Sequence, residues 1–281
     1  MSRTIPALQL VNGMTMPVLG LGTWHMGERY RERSREIEAL ELGLELGMSL
    51  IDTAEMYGDG AAEEIVGQAI AGQRDKVFLV SKVYPHNASR RGVMIACDNS
   101  LQRLATDHVD LYLLHWRGNI PLAETIAGFE ALRTAGKIRA WGVSNFDRAD
   151  MEELLALPGG QHCAANQVLY NLNRRGIEWD LLPLCLAHGI AVMAYSPIGQ
   201  GKLLHSRKLL SVAQRIGVTT AQLALAWLLT RPGVAAIPKA ADTAHVHDNR
   251  LAVDLKLTPE VVAELERAFP PPSGRTPLAI L

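Results

Sequence analysis

Eight short apolar runs alternate with amphipathic stretches along the 281 residues of this chain, and that alternation limits the folds open to it. The runs are PVLGLGT, MSLID, KVFLVSK, VDLYLLH, IRAWGVSN, CAANQV, IAVMAYS and VAAIPK. Between them lie helical patterns such as RRGVMIACDNSLQRLA, LAETIAGFEALRTAG and IEWDLLPLCLAHG. Asp147 is placed to cap RADMEELLAL, Pro158-Gly159 ends that helix, and Gly136 and Gly189 stop two others. Strands that are apolar on both faces and separated by helices imply parallel βα units. Eight such units in a chain of this length favour a closed (β/α)8 barrel, a TIM barrel, over an open sheet.

No Pro/Gly-rich linker or low-complexity segment divides the chain, so residues 1–281 are expected to form a single barrel domain. The start differs from the rest. In IPALQLVNGMTMPVLG, Asn12-Gly13 separates two short apolar pieces, a hairpin signal, and the hairpin is expected to cap the bottom of the barrel. After the eighth unit, TPEVVAELERAF predicts an extra C-terminal helix with Thr258 as cap and Pro259 in its first turn, followed by an irregular tail, PPPSGRTPLAIL.

The runs share a second property. Most end in a chemically capable residue: Asp52, Lys82, His115, Ser144-Asn145, Asn166-Gln167, Tyr195-Ser196 and Lys239. In a parallel barrel every C-terminal strand end lies on one rim, where barrel enzymes place their chemistry. Taken singly, each residue has an ordinary explanation. An Asp at a strand end often caps the next helix, a Lys snorkels to water, a His beside a Trp packs, and Tyr57 before Gly-Asp-Gly is a turn tyrosine. Together, Asp52, Tyr57, Lys82 and His115 come from three consecutive strand ends and form one acid–base cluster. Phenols ionise near pH 10, and a neighbouring ammonium is expected to lower that value toward the working range of an acid. Asp52 would hold the ammonium charged, and His115 would hydrogen-bond a substrate oxygen. This set suits proton delivery to a carbonyl oxygen as hydride reaches its carbon.

At these residues the chain resembles the aldo-keto reductase family, and within it the short bacterial members of the methylglyoxal reductase type. The motifs GLGTW, LIDTAEMYG, VSKV, LLHW, GVSNF, NQVLY, AYSPIGQG and IPKAADTAHVHDN follow the family's order and spacing over essentially the whole chain. The resemblance implies NADPH-dependent reduction of aldehydes, ketones and small dicarbonyls, with Tyr57 as general acid in a tetrad with Asp52, Lys82 and His115. It implies NADP(H) lying extended across the barrel mouth without a separate nucleotide-binding domain. Thr23 and Asp52 would lie near the nicotinamide ribose, and Gly22 and Trp24 would also contact the cofactor. Ser144, Asn145 and Gln167 would hold the carboxamide, with Tyr195 stacked on the ring. The stretch SPIGQG (196–201), with Ser196, Pro197, Ile198 and Gln200, would wrap the pyrophosphate. Lys239 would reach the 2'-phosphate, with Ala240 and His245 at the same site, Ile237 and Pro238 also contacting the cofactor, and Asp248 and Asn249 at the adenine. The family pattern has serine and arginine where this chain has Ala240 and His245. Their loss removes a hydroxyl and a permanent guanidinium from that end and leaves NAD(H) as a weaker alternative. The segment after His115 is short, so a shallow substrate pocket lined by Trp24, Tyr57, Tyr84, His115 and Trp116 is expected.

Other readings have less behind them. A cofactor-binding regulatory subunit of the same fold would not need the intact tetrad. A Schiff-base aldolase would need Lys82 neutral, against the neighbouring Asp52. The sequence His245-Val-His247-Asp248 lacks a third convergent ligand, so no metal is expected, and GQGK lacks the Ser/Thr of a phosphate loop. With 28 basic and 29 acidic residues the formal charge is -1, which carries no footprint for nucleic acid or anionic membrane. Cys97, Cys163 and Cys185 have no paired spacing, and the opening residues lack a long apolar core. A cytoplasmic monomer acting on a small carbonyl compound is the expectation.

Overall fold

The computed structural model describes residues 4–281; the first three residues of the expected domain lie outside the described residues. Strands β1 (Ala7–Gln9) and β2 (Thr15–Pro17) pair antiparallel, with Leu8 opposite Met16. The hairpin is present, but its turn differs from the two-residue turn that Asn-Gly favours. Gly13 takes the left-handed conformation (φ 84°), its N–H donates to Leu10 O, and Leu10 N–H donates to Met14 O. That is a three-residue loop with Gly13 at the bulge, so the glycine serves the bulge and Asn12 keeps an ordinary φ.

The eight expected strands all form: β3 (Gly20–Gly22), β4 (Leu50–Asp52), β5 (Phe78–Val83), β6 (Val109–Leu114), β7 (Ile138–Ser144), β8 (Cys163–Leu169), β9 (Ala191–Tyr195) and β10 (Val234–Ala236). They pair in chain order and all in parallel. Bridges from Leu19 to Ala236 and from Gly22 to Lys239 join the last strand to the first, so the sheet closes. The helices outside it are α1 (Arg33–Glu45), α2 (Ala61–Ala69), α3 (Arg90–Leu104), α4 (Leu122–Thr134), α5 (Arg148–Ala156), α6 (Leu181–Ala187), α7 (Arg207–Ile216), α8 (Thr220–Leu229), α9 (Thr243–Leu251) and α10 (Pro259–Ala268). The last is the expected C-terminal extra, with Thr258 as its cap.

Local punctuation explains most boundaries. Asp147 and Asp150 form a reciprocal capping box at the start of α5. Gly136, in left-handed conformation (φ 74°), ends α4. Two elements depart from expectation. Helix α6 begins at Leu181, after a single turn at Gly176–Glu178, rather than at Ile177. Pro183 lacks an N–H and clashes with a preceding turn, so it is tolerated only in the first turn of the helix. Between β9 and β10 the chain spends two helices, α7 and α8, where one would complete the βα unit; Thr219 and Gln222 box the start of α8.

The core has two layers. Outer faces of the strands pack against the helices, as with Leu79, Tyr112, Trp141 and Val168. Inside the barrel, Leu50, Phe78, Val80, Leu111, Leu113 and Met193 fill the lumen, and Leu10 and Met16 of the hairpin plug its lower end. Side chains on a strand alternate faces, so the inward row of β5 reads Phe78, Val80, Lys82, and that of β6 reads Leu111, Leu113, then His115. Each inward row is apolar at the bottom and turns polar only at its last step. That switch places the chemistry at one end of a dry barrel.

The lumen leaves no room at Gly142 on β7, beside the register shift between β7 and β8. A Cβ there would stand 2.3 Å from Ala165 O and 2.9 Å from Leu113 Cδ2. Backbone oxygen cannot swing aside, so Gly142→Ala should destabilise the fold by roughly 1–3 kcal/mol through overpacking, read as a lower midpoint in urea unfolding.

Candidate active site

The polar strand ends surround one cavity of about 760 Å³ at the C-terminal mouth of the barrel. Of the residues singled out from sequence, Gly22, Thr23, Trp24, Asp52, Tyr57, His115 and Trp116 line it on one side. Ser144, Asn145, Gln167, Tyr195, Ser196, Pro197, Ile198, Gln200, Ile237 and Lys239 line it on the other.

Lys82 stands behind this surface, with no exposure at all. Its ammonium donates to three acceptors: Asp52 Oδ2 at 2.8 Å, Thr53 O at 2.8 Å and Tyr57 Oη at 3.0 Å. Asp52 is also buried, and its other oxygen accepts from Gln167 Nε2 at 2.7 Å. Tyr57 accepts from Lys82, so its own O–H proton is not spent on that contact. The His115 ring meets the Tyr57 ring edge-on, with centroids 5.7 Å apart. The four residues therefore form one connected group at the cavity wall, with the ion pair behind and the phenol and imidazole in front.

The electrostatics follow from burial. Loss of water works against the Lys82 ammonium, but the charge of Asp52, then Tyr57 and hydrogen bonds to both, hold it above its ordinary value. Burial pushes the Tyr57 phenol above its ordinary value; Lys82 pulls it down and Asp52 pushes it up again. The expected lowering of Tyr57 is thus corrected. Lys82 arrives already paired, so its field at the phenol is largely offset and desolvation prevails. The phenol stays protonated, which is the form an acid needs. Burial and then the charge of Lys82 push His115 down to about 2, so the imidazole is neutral. Its Nδ1 is buried without a hydrogen-bond partner among the described residues, so none of them fixes its tautomer.

Across the cavity, Ser144 Oγ donates to Gln167 O at 2.9 Å, and Thr23 Oγ1 donates to Asp52 O at 3.0 Å. Asn145 holds a left-handed backbone (φ 58°); its amide donates to His115 O at 3.2 Å and accepts from Tyr195 Oη at 2.9 Å. Farther along the cavity, Ser196 (φ 46°), Gly199 (φ 59°), Gln200 (φ 54°) and Gly201 (φ 81°) give a run rich in left-handed residues. Lys239 is exposed at the cavity's end.

Six of the expected contacts lie off the cavity wall. Tyr84 stacks on His86 and meets the edge of Trp116 at 5.8 Å, outside the residues that line the cavity. Pro238 accepts from Gly22 N–H and closes the barrel seam. Ala240 and Asn249 are buried, and His245 is exposed on the first turn of α9. The N–H groups of Ala244 and His245 there already donate to Asp242, at 2.8 and 3.4 Å. Asp248 accepts from Thr219 Oγ1 at 2.8 Å and Gln222 Nε2 at 2.7 Å, so its carboxylate serves the start of α8. Gly201, the last residue of SPIGQG, lines the cavity as expected, and His25, Met56, Arg117, Asp150, Ile280 and Leu281 line it without having been expected there. Ile280 and Leu281 come from the tail, which an ion pair from Arg275 to Asp180 at 3.0 Å ties down. No local pattern in the tail announces where it goes. Among the described residues no cluster of three or more His, Cys, Asp or Glu could hold a metal, no helix is long and apolar enough to cross a membrane, and the three cysteines are free and buried.

Removing one partner of a buried ion pair leaves the other charged and unsatisfied. Lys82→Met should therefore cost about 3–5 kcal/mol of stability. The Lys82 pKa is raised, so its stabilising contribution is complete throughout neutral pH and is lost only as pH climbs past that raised value. Urea unfolding of wild type and variant at pH 7 measures the difference.

The site's geometry can be set beside known proteins. Residues 18–269 match the model of the aldo/keto reductase family. Methylglyoxal reductase YeaE of Escherichia coli (strain K12) is 50% identical over 276 residues, 96% of this chain and 97% of that protein. Glyoxal reductase of Bacillus subtilis (strain 168) is 33% identical over 262 residues, 92% of this chain and 91% of its own. Among solved structures, an aldo/keto reductase from Klebsiella pneumoniae in complex with NADP and acetate superposes with a TM-score of 0.95 at 50% identity, covering 98% of this chain and 99% of that one. A second structure, an aldo-keto reductase from Klebsiella pneumoniae in complex with NADPH, gives 0.96 at 50% identity, covering 99% and 100%. The closed barrel, the buried lysine with its three acceptors and this likeness over nearly the full length agree: the chain belongs to the aldo/keto reductase family.

Proposed function

We propose that this chain is an NADP(H)-dependent reductase of aldehydes, ketones and small dicarbonyls such as methylglyoxal, working as one barrel domain in a monomeric, cytoplasmic enzyme. The observation that carries the reading is the Lys82 ammonium, bonded to Asp52, Thr53 O and Tyr57 Oη directly behind the cavity wall. A lysine so paired is held charged, which supports an acid–base role and disfavours a Schiff base.

The residues around the cavity fit a dinucleotide. Ser144, Asn145 and Gln167 cluster where a carboxamide would need both donors and acceptors. The left-handed residues around Ser196–Gly201 suit a turn whose backbone N–H groups face an anion. Lys239 supplies a cation at the far end, and His245 is exposed on the first turn of α9. Ala240 and Asp242 bring no positive charge there, which keeps NAD(H) as the weaker alternative. When bound, the reduced nicotinamide supplies hydride to the carbonyl carbon.

The chain's own residues handle the proton. Tyr57 donates its phenolic proton to the carbonyl oxygen, and Lys82 beside it stabilises the phenolate left behind. Asp52 keeps Lys82 charged and in place. His115, neutral, offers one hydrogen bond to the same oxygen without adding a charge. Trp24 and Trp116 wall the carbonyl end, and Met56, Ile280 and Leu281 make it more apolar than the short loop after His115 suggests.

Consumption of NADPH by purified protein with methylglyoxal or a nitrobenzaldehyde tests the reading directly; cofactor binding without turnover would favour a regulatory subunit. Tyr57→Phe should leave NADPH binding, followed by fluorescence titration, near wild type. Its turnover should fall roughly 10²–10⁴-fold, because the phenol acts only in the chemical step. The pH profile is a separate check. His115 gains a proton only near pH 2, and Tyr57 keeps its proton to above about 10. At saturating NADPH, kcat/KM for the carbonyl should therefore show no limb near pH 6.5 and should fall only on the alkaline side.

A further inference from the structure

Tyr57 is followed by backbone that does not hold itself in place. Gly58 (φ 57°), Asp59 (φ 52°) and Gly60 (φ 92°) are consecutive left-handed residues, and Asp59 takes that conformation with a side chain. Such a turn carries strain and persists only where its surroundings over-determine it.

Downstream the restraint is evident. Gly60 lies against Arg103, where a Cβ would stand 2.5 Å from Cδ, and Arg103 Nε donates to the fully buried Glu63 at 2.6 Å. Upstream, Met56 is partly exposed and offers little anchorage. The residue before it does. Glu55 N–H donates to Lys82 O at 3.3 Å, while its carboxylate Oε1 accepts from Tyr84 N–H at 2.7 Å and from Asn87 Nδ2 at 3.1 Å. One side chain thus ties the loop after β4, which carries Tyr57, to the loop after β5, the strand that carries Lys82.

We propose that Glu55 is a positioning residue for Tyr57: its carboxylate oxygen, held by Tyr84 N–H and the Asn87 amide, pins the strained turn that presents the phenol to Lys82. The inference rests on the reading of Tyr57 as the general acid. The bond matters here through the acceptor oxygen. The charges that act on the phenol are those of Lys82 and Asp52.

Glu55→Ala and Glu55→Gln in the full chain separate these possibilities. The alanine variant should bind NADPH with a Kd within about threefold of wild type, while single-turnover reduction of a nitrobenzaldehyde slows about 10–100-fold, the cost of misplacing a reacting group by about an ångström. The glutamine variant keeps the acceptor oxygen without the charge, and should restore most of the rate. Asn87→Ala, which removes one donor from outside the loop, should lose rate in the same direction but less; it serves if the alanine variant at Glu55 does not fold. A readout independent of turnover is the ionisation of Tyr57, taken from ultraviolet titration of each protein against its Tyr57→Phe counterpart. In wild type it should stand above the ordinary phenol value, and in Glu55→Ala it should drop toward that value as the ring leaves its buried place. If wild type reduces no carbonyl, the functional reading fails while this titration still reports on the clamp. A folded Glu55→Ala with wild-type rate and unmoved Tyr57 ionisation overturns the proposal. So does a Glu55→Gln as impaired as Glu55→Ala.

Discussion

A buried ammonium with three protons and three acceptors is the constraint around which this structure is organised. An isolated charge inside a barrel lumen is prohibitively expensive, and it becomes tolerable only when every proton is bonded and an opposite charge is adjacent. Lys82 meets both conditions, with Asp52 Oδ2, Thr53 O and Tyr57 Oη as its partners. Those partners come from the neighbouring strand and the loop beyond it, so the solution depends on register. Asp52 pairs with Val80 across β4 and β5, one inward step below Lys82. From there the long lysine stem can reach Asp52, Thr53 and Tyr57 together. A slip of one residue on β5 would turn Ser81 inward and send Lys82 into the helix layer. The ion pair therefore gives the two strands only one acceptable alignment.

Much of this was legible in the residue pattern because strands and barrels impose simple geometry. Apolar runs of strand length bounded by helices specify parallel pairing, and a polar residue at the end of a run can only stand at the rim. That reasoning located Asp52, Lys82, His115, Ser144, Gln167 and Lys239 without any coordinates. It failed where position depends on loop path. Tyr84 sits two residues beyond Lys82, yet its ring meets the edge of Trp116 and stacks on His86 rather than lining the cavity. Ile280 and Leu281 reach the cavity through a tail whose course is set by a long-range ion pair and by packing of Leu278, neither of which leaves a local signature. The start of α6 was misplaced for a local reason, since Pro183 restricts the first turn more strictly than apolar periodicity suggests.

The Tyr57 phenol shows a different limit. Residue types alone suggest that a lysine beside a tyrosine lowers its pKa, because the pair is considered in isolation. In the folded chain Asp52 stands on the other side of the lysine, and the phenol sees something closer to a dipole than a charge. Desolvation then decides the direction. The same burial acts on His115, where the repulsion from Lys82 adds to it rather than opposing it, and the imidazole is driven far below its usual range. One environment therefore leaves both groups neutral, a protonated phenol and an uncharged imidazole.

A consistent division of labour runs through the residues at the mouth. Gln167 spends its amide nitrogen on Asp52, Asn145 places its amide between His115 O and Tyr195 Oη, and Ser144 spends its proton on Gln167 O. Tyr57 accepts from Lys82 and keeps its own proton. Each side chain is fixed to the framework by at least one hydrogen bond while it borders the cavity. Groups tied in this way lose little freedom when a ligand arrives and need little reorganisation as charge develops on a carbonyl oxygen. The backbone strain at Asn145 and Ser196, both left-handed without being glycine, is the cost of aiming those strand ends into the mouth. Rigid strands below and committed hydrogen bonds above let the barrel hold that strain at the rim, where an open and mobile loop would relax it.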